Sequence, residues 1–132
     1  MSLWLDEVRD YLIARGVVGS SEWPIYEGYL TDDQDQMTAV FSTGGDASET
    51  LLSENRRVGL QLRIRAAKLS YPTAYNKWKE CLDVLNQARE GTLSPYLQGF
   101  RYIIPLQLEP IVFTDENGRT NLTSSFNVLL DT

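Results

Sequence analysis

The side chains that most often perform catalysis are scarce in this chain. Its 132 residues include no histidine and one cysteine, Cys81. Nucleophilic enzymes commonly depend on an imidazole base, so Ser-His and Cys-His pairs are excluded, as are imidazole-ligated zinc and haem. Cys81 falls on the apolar side of a predicted helix, where a buried thiol is expected. The 18 acidic residues show no paired arrangement. We therefore predict no catalytic, cofactor-binding or metal-binding residues and no enzymatic activity.

Length and composition predict one ordered domain spanning residues 1–132. The hydrophobic content is 42%, and no apolar run approaches the roughly 20 residues that a membrane helix requires. The first residues lack the basic region and the long apolar stretch of a signal peptide. We expect a soluble protein that is made inside a cell and remains there.

Charge is segregated along the chain, whose net charge is −6. Residues 31–54 hold six acids and no base, namely Asp32, Asp33, Asp35, Asp46, Glu49 and Glu54. Residues 55–73 hold five bases and no acid, namely Arg56, Arg57, Arg63, Arg65 and Lys68. One interpretation is a solvated loop beside a strand with snorkelling arginines. The other is a head-to-tail contact between oppositely charged surfaces of two copies, which closes into a ring when the rotation divides a full turn. The acidic pI of about 4.6 disfavours wrapping of nucleic acid.

The run from Arg57 to Arg65 alternates apolar and polar residues with a period of two. Successive side chains of a strand point to opposite faces. One face would carry Val58, Leu60, Leu62 and Ile64, and the other Arg57, Gln61, Arg63 and Arg65. We therefore predict a half-buried strand that presents paired arginines on its exposed face.

The whole pattern predicts two amphipathic helices and six strands. The helices are Leu3–Arg15 and a second one to about Arg89, which Ser70 caps and Pro72 helps to start. The strands are Ile25–Leu30, Met37–Thr43, Arg56–Ala66, Gly99–Gln107, Ile111–Thr114 and Thr120–Leu130. The first two could form a hairpin, and Asn117-Gly118 predicts another between the last two. A long, mobile acidic loop is expected at residues 44–55. Pro105 and Pro110 place their region at a sheet edge or an irregular crossing.

Several segments together form a recognisable order. They are Gly16–Gly19, Trp23–Leu30, Thr43–Gly45, Arg57–Val58 with Gln61, Arg63 and Arg65, Tyr71–Trp78 and Asp115–Thr123. In this order the chain resembles the tail terminator proteins of long-tailed bacteriophages, which are also described as minor capsid or tail completion proteins. The resemblance spans nearly the whole chain, and none of its motifs is a chemical signature.

The resemblance implies an α+β fold in which two amphipathic helices pack on a mixed, mainly antiparallel sheet. It implies a structural virion protein that forms a homohexameric ring at the head-proximal end of the tail tube. Such a ring would end tail elongation and provide the joint to the head. The implied partners are other copies of the chain, the major tail tube protein and a head–tail connector or stopper protein. Genomic DNA would pass through the ring without sequence-specific binding. The expected location is the virion, after assembly in the cytoplasm of the host bacterium, with no membrane contact and no cofactor.

Charge and exposure suggest candidate contact residues for such a ring. We expect the acidic loop, through Asp46, Glu49, Leu51 and Leu52, to touch a neighbouring subunit or the tube. On the basic strand, the candidates are Arg56, Arg57, Arg63 and Arg65, of which Arg63 and Arg65 would face an adjacent copy. Two alternatives remain open. One is a head completion or stopper protein, and the other is a small cytoplasmic ligand-binding module with a pocket near Trp23, Tyr26, Tyr29, Tyr75 and Trp78.

Overall fold

A computed structural model describes residues 4–31, 34–46, 55–87 and 100–131. These residues form two helices and six strands. They are α1 (Trp4–Ala14), β1 (Ile25–Glu27), β2 (Met37–Asp46), β3 (Asn55–Lys68), α2 (Tyr71–Asn86), β4 (Phe100–Pro105), β5 (Ile111–Thr114) and β6 (Arg119–Asp131). All strands belong to one mixed, mainly antiparallel sheet, so the predicted α+β class is confirmed. In the described part of the chain, neither helix is long and apolar enough to cross a membrane.

The longest pairing in the sheet joins β3 to β6. The strand order is β1-β2-β3-β6-β4, and β5 also pairs with β6. β6 pairs antiparallel with β3 along its length, and its other side is shared by two short strands. Residues Thr120–Thr123 of β6 pair with β5, and Phe126–Leu130 pair with β4. β4 and β5 therefore form one edge of the sheet, which confirms the edge position predicted from Pro105.

The connection between β1 and β2 differs from the predicted hairpin, which is wrong. The two strands are parallel, with Ile25 opposite Thr38 and Glu27 opposite Val40. Parallel neighbours require the chain to return to its starting end before the second strand begins. The described residues 28–31 and 34–36 belong to this return, and only Ile25–Glu27 of the predicted first strand pairs with β2.

The predicted acidic loop at residues 44–55 has strand residues at both of its ends. β2 continues to Asp46, and β3 begins at Asn55. The register of β2 against β3 shifts between Ser42 and Gly45, and Gly44 has a φ of +90°. A glycine in this conformation lets a bulge form without ending the strand, so the Gly-Gly pair does not break the sheet. Residues 47–54 of the predicted loop lie outside the described part.

Both helices cover the same face of the sheet and bury the core there. The predicted apolar face of β3 is confirmed, because Leu60, Leu62 and Ile64 are fully buried. α2 contributes the core residues Ala74, Trp78, Cys81, Leu82 and Leu85, so the buried thiol is also confirmed. Burial raises the pKa of Cys81 to about 12, which keeps this thiol protonated and unreactive.

The start of α2 matches the prediction in position but not in chemistry. Ser70 occupies the N-cap position, and Pro72 lies in the first turn. However, the Ser70 side chain makes no capping hydrogen bond, so the predicted cap is wrong. The helix is held instead by tertiary contacts, among them the hydroxyl of Tyr11, which donates to the carbonyl of Val84 at 3.3 Å. It ends at Asn86, three residues before the predicted end.

One buried hydrogen bond links α2 to the middle of the sheet and provides a test of the packing. Trp78 Nε1–H donates to Ser124 Oγ at 2.8 Å, and both side chains are buried. Ser124→Ala would leave the indole donor unpaired, so we expect the free energy of unfolding to fall by about 1–2 kcal/mol. Urea denaturation measures this loss. Ser125→Ala, one residue along and on the opposite face, should change stability by less than about 0.5 kcal/mol. Equal losses in both variants would contradict this role of Ser124.

Candidate functional site: the open face and free edge of the sheet

The sheet face opposite the helices, termed the open face, carries no further helix or strand layer among the described residues, although Met37, Ala39 and Asn121 on it are at most 2% exposed. Residues directly opposite each other in neighbouring strands share a face. The pairings therefore place one row across five strands on this open face: Tyr26 on β1, Ala39 on β2, Arg63 on β3, Thr123 on β6 and Ile111 on β5. Arg63 lies at the centre of the row. The open face consequently carries a cationic side chain in its middle, on the strand where the sequence predicted one.

Two aromatic rings flank the guanidinium of Arg63. Its Cζ lies 5.3 Å from the ring centroid of Phe41 on β2 and 5.5 Å from that of Phe113 on β5. Stacking on aromatic faces favours a guanidinium and restricts its rotamers. Arg63 Nε is buried and has no hydrogen-bond partner, and the same holds for the hydroxyl of Thr123 in the facing position. The centre of the open face therefore holds two unpaired polar groups between apolar rings.

Arg65 has a different environment from Arg63, although only one residue separates them. It is 3% exposed, whereas the sequence predicted two equally presented arginines. Its guanidinium donates to the carbonyl oxygens of Thr31, Gln34 and Asp35, at 2.7 Å for Gln34 and 3.1 Å for Asp35. These bonds fasten the return segment between β1 and β2 over one end of the open face. The described contacts of Arg65 lie within the chain, and its contact with an adjacent copy stays a prediction.

A tight turn holds β5 against β6. Gly118 N–H donates to the carbonyl of Asp115, Asp115 N–H donates to that of Arg119, and Gly118 has a φ of +79°. This is a three-residue hairpin loop with glycine in the left-handed position, so the hairpin predicted from Asn117-Gly118 is confirmed. Burial would raise the pKa of Asp115, but hydrogen bonds from Arg119, Asn117 and Asn121 lower it overall. Asp115 therefore stays ionised and braces the turn.

The edge formed by β4 and β5 is strongly apolar and exposed. Ile111, Val112 and Phe113 are 56%, 49% and 38% exposed. Three nearby apolar side chains are also exposed, namely Ile104, Leu106 and Leu108. Edge strands of soluble proteins usually carry charges or bulges that prevent pairing with other chains, and β5 has neither. An exposed apolar patch on an unprotected edge is typical of a protein–protein contact.

The backbone of β5 also offers hydrogen-bonding groups on its outer side. Facing residues of an antiparallel pair alternate between bonded and non-bonded positions. Since Asp115 bonds Arg119, the bonded positions are Phe113 and Ile111, and the groups of Val112 and Thr114 point away from β6. Among the described residues, these outer N–H and C=O groups have no partner. β5 can therefore accept another extended strand.

The structure locates only some of the contact residues that were predicted from the sequence. Glu49, Leu51 and Leu52 lie outside the described residues, and for Asp46 and Arg56 only the backbone positions in β2 and β3 are described. Arg57 is exposed on the open face. The β5 edge was missed as a contact surface, and the available signal was the neighbouring Pro110, because proline favours an edge position.

Two pairs among the aromatic residues proposed for a ligand pocket are in contact, and one of them is Tyr75 with Trp78, whose ring centroids are 5.5 Å apart. Trp78 is fully buried in the core, and Trp23 is 9% exposed, with Lys77 Nζ 5.4 Å from its ring centroid. Tyr26 and Tyr29 contact each other, with ring centroids 5.1 Å apart, at the β1 end of the sheet. In the described ranges, no group of three or more acidic or cysteine side chains is arranged to hold a metal ion.

Glu27 is an acidic side chain at the end of β1 that faces α1, and it makes stability depend on pH. Burial, a hydrogen bond with Asp6 and the charge of Asp10 raise the pKa of Glu27 to about 7, against the effect of Arg9 at 2.7 Å. A raised pKa means that the folded state binds the proton more tightly, so stability is gained as pH falls from 7 toward 4.5 and lost as pH rises through 7.

Glu27→Gln should remove this pH dependence, which we expect to amount to about 1–2 kcal/mol between pH 5 and pH 8. The measurement is urea denaturation at both pH values for the wild type and the variant. Glu22→Gln, at an exposed position, is the matched control and should keep the wild-type slope. If Glu27→Gln kept that slope as well, Glu27 would not be the group responsible.

Together the described residues define a small α+β protein with helices on one face, an open face with a central arginine and an unprotected apolar edge. The sequence model of the bacteriophage tail terminator protein family matches residues 11–132. The chain belongs to this family and is therefore a structural protein of the phage tail. No curated protein sequence matches it. A solved chain from the virion of a native gene transfer agent particle is similar, with a TM-score of 0.69 over 95% of this chain and 92% of that one. The identity is 11%, so this likeness shows a shared fold.

Proposed function

We propose that this protein assembles into a homohexameric ring that caps the head-proximal end of the tail tube. The ring ends tube elongation and provides the joint to the head connector, and DNA passes through it without sequence-specific contacts. Membership of the tail terminator family supports this proposal. In the proposed assembly the protein is located at the head–tail junction of the virion, having been assembled in the bacterial cytoplasm.

The observation that carries the proposal is the exposed apolar edge at β5. Ile111, Val112 and Phe113 expose between 38% and 56% of their surfaces in the single chain, next to unpaired backbone groups. Such an edge is stabilised when a second chain covers it. In our proposal the edge of one copy meets a different surface of the next copy, and a contact of this head-to-tail kind generates a closed ring.

The test is the mass and shape of the protein with and without purified tail tubes. Six copies of a 15.0 kDa chain would weigh about 90 kDa, which light scattering separates from a monomer. Negative-stain images of the same peak should show six-fold rings, free or at tube ends. A protein that stays monomeric and does not bind tubes would contradict the proposal. Binding to the head connector alone, without tubes, would favour a stopper role instead.

A further inference from the structure

We propose that the centre of the open face is a carboxylate-binding site, formed by Arg63 and Thr123 between the rings of Phe41 and Phe113. Its occupant is an acidic side chain from residues 44–54 of a second copy. This inference rests on the proposed assembly and deepens it, because it names the groups that would meet at the contact.

The first argument is the unused hydrogen-bonding capacity at this position. Arg63 is half-buried, and its Nε has no hydrogen-bond partner and is enclosed by neighbouring atoms. Thr123 is 8% exposed, and its hydroxyl is unpaired as well. Arg63 on β3 is directly opposite Thr123 on β6, so the two unpaired groups lie next to each other on the sheet. Buried polar groups are almost always paired, and two unpaired neighbours indicate that a ligand completes them.

The second argument is the geometry of the guanidinium. Its Cζ lies 5.3 Å from the ring centroid of Phe41 and 5.5 Å from that of Phe113, on strands at either side of β3, and these contacts restrict its position before any partner binds. A fixed guanidinium offers parallel N–H donors that match the two oxygens of a carboxylate. Apolar rings around the pair would exclude water and strengthen the attraction.

The third argument concerns the source of the carboxylate. Arg63 has no ion pair with a described acid, whereas Arg65 and Arg119 are both engaged within the chain. The sequence of residues 44–54 carries Asp46, Glu49 and Glu54 without a base. A chain of net charge −6 needs such a pairing if copies are to meet closely. The charge pattern therefore favours a second copy as the partner.

The direct test uses a fluorescent synthetic peptide of residues 44–54 and measures its binding to the full chain by anisotropy. We expect binding that weakens by about tenfold or more for Arg63→Ala, and less for Arg63→Lys, which keeps the charge but not the fork of donors. A peptide with Asp46, Glu49 and Glu54 replaced by their amides should not bind. The control variant is Lys79→Ala, which removes an equal charge from the exposed side of α2. Equal binding by the wild type and Arg63→Ala would overturn the site, and no binding at all would overturn residues 44–54 as the source of its occupant.

Thr123→Val provides a readout that a purely structural role would not give. Valine matches threonine in shape and removes an unpaired buried hydroxyl, so the melting temperature should stay the same or rise. Peptide binding should nevertheless weaken. A fall in melting temperature with unchanged binding would overturn the role of Thr123 in the site.

Ring formation by the same variants separates this inference from the proposed function. If rings form and Arg63→Ala neither weakens them nor lowers peptide binding, the site is wrong and the ring stands. If the peptide binds through Arg63 but the chain never forms rings, the site stands and the proposed function is wrong. If Arg63→Ala forms normal rings that no longer cap tubes, and the peptide does not bind, the carboxylate belongs to the tube protein and the second-copy occupant is wrong.

Discussion

Arg65→Met is expected to lower the free energy of unfolding by about 3 kcal/mol. We expect this to be the largest loss caused by replacing a cationic side chain of the sheet. The guanidinium of Arg65 donates to three backbone carbonyls of the segment that returns from β1 to β2. Methionine can replace the aliphatic stem but none of these donors. The carbonyls would lose their partners, and the return segment would detach from the end of the open face.

Urea denaturation measures this loss, and hydrogen exchange of residues 34–38 shows whether the return segment is released. Arg57→Met, on the same strand and face but exposed, is the matched control and should cost less than about 0.5 kcal/mol. Similar losses in both variants would show that the intramolecular bonds of Arg65 contribute little.

Val112→Pro is expected to abolish ring assembly while leaving the single chain folded. The N–H of Val112 points away from β6, so proline removes no hydrogen bond within the described sheet. The substitution removes the N–H donor that a strand from another copy would use. It also places a pyrrolidine side chain at the edge, and natural edge strands often carry proline for the same purpose. We expect the 90 kDa species to disappear, with a change in stability below about 1 kcal/mol.

Val112→Thr is the companion variant, because it keeps the backbone donor and the β-branched shape. If strand pairing holds the copies together, the threonine variant should still assemble. If side-chain burial alone matters, both variants should weaken assembly to a similar degree. Light scattering distinguishes these results, and full assembly by Val112→Pro would contradict any pairing along β5.

Local patterns predicted most elements of this fold. The alternation from Arg57 to Arg65 gave β3 and its buried face, because a period of two leaves one set of side chains for the core. The Asn117-Gly118 pair predicted the hairpin between β5 and β6, since glycine there adopts a positive φ at little cost. The stripe of α2 that includes Trp78 predicted the helix face that meets the sheet.

What the sequence did not predict depends on contacts between distant segments. The polar stretch after β1 is typical of a hairpin turn, and its actual course as a parallel return is stabilised by Arg65, about thirty residues later. The same contact gives Arg65 a different environment from Arg63. An alternation pattern cannot predict this difference, because both residues lie on the same face of the strand. The exposure of Ile111–Phe113 was likewise hidden, since an apolar run of this length usually indicates a buried strand.

The position of β6 has a consequence for how the protein is made. This strand lies between β3 and the β4–β5 edge, yet it follows every other strand in the chain. During synthesis β3 must wait about sixty residues for its neighbour, and such a late, distant pairing makes folding slow. Until then, β3 has only one of its two neighbouring strands, and its apolar side chains are incompletely covered. A chain whose synthesis stops before β6 therefore cannot build the surfaces used for assembly, and only copies translated through β6 are competent to join a tail.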